Sequence, residues 1–165
     1  MRKGMEYLVL TAQKGNPVPR TDGWYGKLDV KKLCRETFRE LPEYVLLNMK
    51  TGMDVFYPDI LFAPFLLVSR EAMEVIRIYE EEMPFLYVAM VDAQSGESCS
   101  YYCPVLAEGS ACGEALYRVK KGNEWEVRIR VDLAESLLLR GAEGMELAPL
   151  EEENNRGNVR KSIWG

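Results

Sequence analysis

Apolar and polar positions alternate, then change period, several times along the chain. Glu6 to Ala12 reads EYLVLTA, a β-rich run that predicts a first strand. Residues 15–26, GNPVPRTDGWYG, contain two prolines and three glycines with no helical period, which predicts a long loop. From Asp29 the spacing becomes helical. Val30, Cys34, Phe38 and Leu41 fall at i, i+4, i+8 and i+11 on one stripe, with Asp29 as N-cap and Pro42 as the stop. YVLLNM (44–49) predicts a short strand. The KTG turn (50–52) and MDVFY (53–57) after it predict a hairpin partner for that strand.

The most apolar stretch follows, FYPDILFAPFLLVS at 56–69. Its end, FLLVS, predicts a buried strand. Ser69 is placed to cap a helix with Glu71 in its first turn and Ala72, Val75, Ile76 and Tyr79 on its apolar face. Pro84 ends that pattern. FLYVAMV (85–91) predicts a strand buried on both faces, because its apolar run is nearly continuous. SYYCPVL (100–106) predicts a strand that Pro104 places at an edge or an end. Residues 115–131 predict a hairpin turning at KKGN, whose second strand alternates Trp125, Val127, Ile129 and Val131 with Glu126, Arg128 and Arg130 and so has one wet face. Asp132 and Glu135 stand at capping-box spacing before a short helix carrying Leu133, Leu137 and Leu138, with Gly141 after it. GMELAPL (144–150) predicts a last strand.

These elements add up to an α+β fold. One domain over residues 1–150 has a mixed, mostly antiparallel sheet packed on two or three short helices, and residues 151–165 form a polar tail. Ile60, Leu61, Phe62, Phe65, Leu67 and the helix face from Ala72 to Tyr79 are expected to share one core with the 85–91 strand.

Composition narrows the function more by exclusion than by signal. The 165 residues carry a net charge of −5, which argues against a nucleic-acid partner and suits a basic protein partner. No apolar run approaches the ~20 residues of a membrane helix and no leader pattern is visible, so a cytoplasmic protein without a membrane partner is expected. Histidine is absent altogether. That removes Ser–His and Cys–His catalysis and histidine-type zinc sites. Phosphate-binding glycine motifs are missing as well, so no cofactor and no metal is expected. Cys99 and Cys103 on one strand lie about 13 Å apart at ~3.3 Å per residue, too far to bridge or chelate, which leaves the four cysteines as thiols.

Two readings of Asp59 stand. A carboxylate in an apolar setting is a candidate base or ligand group for a small enzyme or ligand-binding domain. Pro-Asp is also ordinary turn chemistry, with the carboxylate accepting nearby backbone N–H groups, and this reading is preferred. Glu80, Glu81 and Glu82 crowd the negative end of the predicted helix. The preferred reading is a solvated surface that promotes solubility; the alternative is an acidic patch that steers a basic partner. Trp24 and Tyr25, in a glycine-flanked loop, are candidate interface anchors or, equally, residues pinned on the domain's own core. No catalytic residues emerge, and a non-enzymatic binding protein of open oligomeric state is the leading expectation.

The block YPDILFAPFLLVSREAMEVIRIYEEEMPFLYVAMVD (57–92), with YYCPVL (101–106) and DLAESLLLRGAEGMELAPLE (132–151), resembles a family of small bacterial proteins of unknown function, many of them described as immunity proteins of polymorphic toxin systems. The resemblance spans about residues 44–151 and rests on packing motifs. It implies a compact α+β fold without cofactor and, as function, the binding and neutralising of a cognate toxin.

Overall fold

In the computed structural model of the chain, residues 6–24, 26–109 and 112–150 are described. The fold is α+β. Eleven strands run in chain order among these residues: β1 Tyr7–Ala12, β2 Arg20–Thr21, β3 Tyr44–Lys50, β4 Ile60–Phe62, β5 Leu66–Val68, β6 Phe85–Val91, β7 Ser98–Pro104, β8 Ala107–Glu108, β9 Leu116–Lys121, β10 Glu124–Arg130 and β11 Met145–Ala148. Helix α1 spans Arg70–Tyr79 and α2 spans Val131–Leu139.

The strands form two sheets where the sequence led us to expect one. A five-stranded sheet has the order β11-β1-β10-β9-β8 and a six-stranded sheet the order β2-β3-β6-β7-β5-β4. Each is antiparallel except for one parallel pair, β8 with β9 and β3 with β6. The apolar stretch at 56–69 explains the division. In β4 and β5, Ile60, Leu66 and Val68 point into a core shared with Leu10, Leu116, Ile129, the face of α1 and Leu133 of α2. Their alternates Leu61 and Leu67 point into a second core with Val45, Leu47, Leu86, Val88 and Met90. Period-two geometry sends neighbouring residues of a strand to opposite faces, so the stretch separates two cores instead of building one.

The second core fills one face of the six-stranded sheet and is closed by the segment from Val18 to Leu41. That segment is not the expected helix. It makes two 3-10 turns, Val30–Lys32 and Phe38–Glu40. Asp29 does cap the first, accepting from the Lys31 N–H at 3.1 Å. The helix fails between the turns, where the Thr37 hydroxyl donates to the Lys32 carbonyl at 2.7 Å and the Arg35 guanidinium reaches the Val105 carbonyl at 2.6 Å. Side chains here take the bonds that a helical backbone would make.

Other expectations needed smaller corrections. Residues 53–57 form no strand; the end of β3 nearest them pairs with β2 instead. Strand β6 is buried on one face only: Leu86, Val88 and Met90 are inside, while Tyr87 is 38% exposed. The supposed wet face of β10 contains Arg128, which is buried and bonds Glu126 Oε2 through Nε at 3.0 Å. Helix α2 starts one residue before the expected cap. Asp132 lies inside its first turn, held below the ordinary carboxylate range chiefly by its hydrogen bond from Arg130. Of the expected apolar side, Leu138 faces outward. Helix α1 is as expected, with the Ser69 hydroxyl accepting from the Ala72 N–H at 3.1 Å.

Candidate functional site

Three of the six residues singled out from the sequence, Trp24, Asp59 and Glu80, are engaged within the fold. Trp24 is 3% exposed, its indole N–H donates to the Ala63 carbonyl at 2.8 Å, and its ring meets Phe65 edge-on at 5.1 Å. It is therefore a core residue, not an interface anchor. Tyr25 lies outside the described residues, as does the 151–165 tail.

The three glutamates separate. Glu80 ends α1 and folds inward. One carboxylate oxygen accepts from Arg35 Nη2 at 2.8 Å, and the other accepts from the N–H groups of Ala115 and Leu116 at 3.0 and 3.4 Å. It ties the end of α1 to the 3-10 segment and to β9, so it is spent on the fold. Glu81 and Glu82 are exposed.

Asp59 is likewise engaged on both oxygens. Oδ1 accepts the Ser69 hydroxyl at 2.7 Å and Oδ2 accepts the Glu143 N–H at 2.8 Å. The carboxylate borders an open groove of about 390 Å³ with Glu71, Glu74, Val75, Ile78 and Arg140. That groove is not the enclosed apolar hollow that a raised-pKa base requires. Between the sheets is a cavity of about 60 Å³ lined by Phe62, Leu66, Val127, Trp125 and Arg118. It is far below the ~300 Å³ at which ligand pockets begin.

Among the described residues Asp92 is the buried acid. Its carboxylate accepts from the Thr51 hydroxyl and N–H at 2.8 and 2.9 Å and from the N–H groups of Gln94 and Ser95. These donors, the Thr51 hydroxyl first, hold it well below the ordinary carboxylate range. Burial pushes the Cys103 thiol up to about 12 and the Cys99 thiol to about 11, the reverse of what a nucleophile needs. Among the described residues no group of three or more His, Cys, Asp or Glu is placed to hold a metal ion, and no helix is long and apolar enough to cross a membrane.

Besides Met53, Ile78, Trp125, Leu138 and Leu139, which are exposed elsewhere, an aromatic sheet face points outward. Helix α1 covers β5 and β7, and Arg77 stacks over Phe85 at 4.9 Å. The β3–β6 half of the same face is uncovered. Register puts Tyr44 beside Tyr87 and Tyr87 beside Tyr102, and Leu46 beside Ala89 and Ala89 beside Ser100. The rings of Tyr87 and Tyr102 meet edge-on at 5.4 Å. Tyr44 is 60% exposed and Leu46 47%. Sequence reasoning missed this face by treating 85–91 as buried throughout. The signal was Tyr44, Leu46 and Asn48 alternating with Val45, Leu47 and Met49, and the lone tyrosine inside FLYVAMV.

Electrostatics adds one feature. The chain's acid excess is partly internal, since Asp59, Glu80 and Asp92 are each held by donors, whereas Glu81 and Glu82 project to solvent. No family model matches the chain, and no curated protein matches it.

Proposed function

We propose that the chain is a non-enzymatic binding protein whose protein partner lies on the tyrosine face of the six-stranded sheet. The observation that carries this reading is the uncovered row of Tyr44 and Tyr87 with Leu46 beside it, on a sheet whose other face is fully packed. Tyrosine supplies a large contact area for little lost side-chain freedom, and it recurs where binding energy concentrates. Occupied carboxylates at Asp59, Glu80 and Asp92, and a sequence without histidine, leave little material for acid–base chemistry near neutral pH. The net charge of −5 and the exposed Glu81 and Glu82 favour a basic partner. With the resemblance to immunity-type proteins over residues 44–151, a toxin is the first partner to try.

The test is titration calorimetry of the purified chain against the products of the adjacent reading frames. A partner should bind the parent chain, and Tyr44→Ala with Tyr87→Ala should weaken it at least about tenfold. Glu81→Lys with Glu82→Lys should slow association and reduce its dependence on salt. Binding that is indifferent to both tyrosines removes the face from consideration.

A further inference from the structure

We infer that the outer edge of β3 pairs with the β3 edge of a second copy of this chain, joining two six-stranded sheets into one. The inference rests on the backbone edge of β3; it shares Tyr44 and Leu46 with the tyrosine face, and Tyr87, which lies on β6 away from the edge, distinguishes the two.

Strand β2 covers only the last residues of β3, with Arg20 opposite Lys50 and Thr21 opposite Met49. The Asp22 N–H then donates to the Asn48 carbonyl at 3.1 Å. There the pairing stops, because Gly23 takes a φ of +116° and the chain turns so that Trp24 enters the second core. Backbone groups of alternate strand residues point the same way. Since Asn48 points outward, so do Leu46 and Tyr44, while Val45 and Leu47 point to β6. Among the described residues, no hydrogen bond from another segment reaches the outward N–H and C=O groups of Tyr44 and Leu46.

Natural edge strands carry charges, prolines or bulges that discourage pairing. Here Pro42 and the exposed Glu43 precede the open stretch and the backbone of Lys50 is paired with β2, while the stretch itself presents Tyr44 and Leu46 on its open face. The stretch is also self-complementary. An antiparallel pair centred on Val45 places Tyr44 opposite Leu46 of the second copy and Leu46 opposite its Tyr44. Both are hydrogen-bonded pairs, so four backbone bonds form without using Asn48. The four exposed side chains then make one apolar row, and directly opposed aromatic and aliphatic residues are favourable cross-strand neighbours. A longer overlap is blocked by β2, so the contact is smaller than the ~1,200 Å² usual for stable complexes, and the dimer is weak. The tyrosine faces of the two copies remain open and become continuous.

Sedimentation equilibrium of the full chain from about 1 μM to 1 mM tests the assignment, a range that brackets a weak dimer. A monomer–dimer equilibrium is expected. Leu46→Pro, which removes an N–H that does not face β6, should shift it at least tenfold toward monomer with little change in melting temperature. Tyr44→Lys, placing a charge on the edge, should do the same and carries the test if the proline variant fails to fold. A monomer at every concentration overturns the inference, as does a dimer that survives both substitutions. A monomer that binds a neighbouring gene product undiminished by Tyr87→Ala, and loses it on Leu46→Pro, also overturns it, because the edge then takes a partner's strand. Loss of gene-product binding on Tyr87→Ala, with the dimer intact, separates the face from the edge.

Discussion

Asp59 and Glu143 bind each other reciprocally across 84 positions of chain. The Asp59 N–H donates to the Glu143 carbonyl at 2.9 Å, and the Glu143 N–H donates to Asp59 Oδ2 at 2.8 Å. The same carbonyl also takes the Ile60 N–H at 3.1 Å, and the Asp59 carbonyl takes the Ser69 N–H at 2.8 Å. One aspartate thereby fastens the start of β4 to the start of α1 and to the loop between α2 and β11.

Asp59→Ala should therefore act on stability. It leaves the Ser69 hydroxyl and the Glu143 N–H without their acceptor, and bonds to a charged group are worth about 1.5–3 kcal/mol. A loss of about 2 kcal/mol in urea unfolding is expected, with Asp59→Asn losing less because its carbonyl oxygen still accepts. Unchanged unfolding would detach Asp59 from this structural role.

Gly144, next along that loop, tolerates no side chain. Its φ is +95°, and a Cβ there would sit 2.4 Å from the Pro58 Cβ and 2.7 Å from the Ile60 carbonyl oxygen. Gly144→Ala should cost about 3 kcal/mol or more, from overpacking against a fixed ring and backbone together with left-handed strain. Gly141→Ala, with φ +80° but open space around it, should cost only about 1 kcal/mol. A thermal melt of the two variants side by side would show whether the order holds.

The glutamate run should respond unevenly. Glu80→Ala strands the half-buried Arg35 guanidinium and two backbone N–H groups, for an expected cost of about 2–3 kcal/mol. Glu81→Ala and Glu82→Ala, both on the surface, should stay within about 0.5 kcal/mol. Equal responses at all three positions in chemical denaturation would refute the inward placement of Glu80.

Asp92 should contribute to the acid sensitivity of the fold. Its carboxyl titrates in the folded chain well below its ordinary value of 3.8. The unfolded state takes up the proton first on acidification, so the stabilisation is complete above the ordinary range and is lost as pH falls from about 5 toward the folded value. Asp92→Asn should be less stable at pH 7 but show a flatter decline between about pH 5 and pH 2. Parallel curves for the two proteins over that window would exclude Asp92 as the source.

Local pattern alone determined much of this protein. The β-rich or apolar runs at 6–12, 44–49 and 85–91 and the alternation that begins at Trp125 fell in strands, and the 3.6-residue spacing behind Ser69 became α1 with its cap. Both signals are carried by neighbouring residues, which feel sheet and helix geometry directly. The absence of histidine and the acid excess likewise narrowed the chemistry before any fold was known. Tertiary structure decided what depends on distant partners. Thr37 and Arg35 took bonds that broke the 29–41 stripe into 3-10 turns, and Glu80 turned inward because Arg35 and the Ala115 N–H wait there. Alternating residues of 60–68 were divided between two cores because sheets lie on both sides of them. Tyr44, Leu46 and Tyr87 stayed outside because α1 covers only half of one face and β2 ends after two residues. Which strand neighbours which, and where cover runs out, is fixed by contacts between residues far apart in the chain, and no periodicity records those.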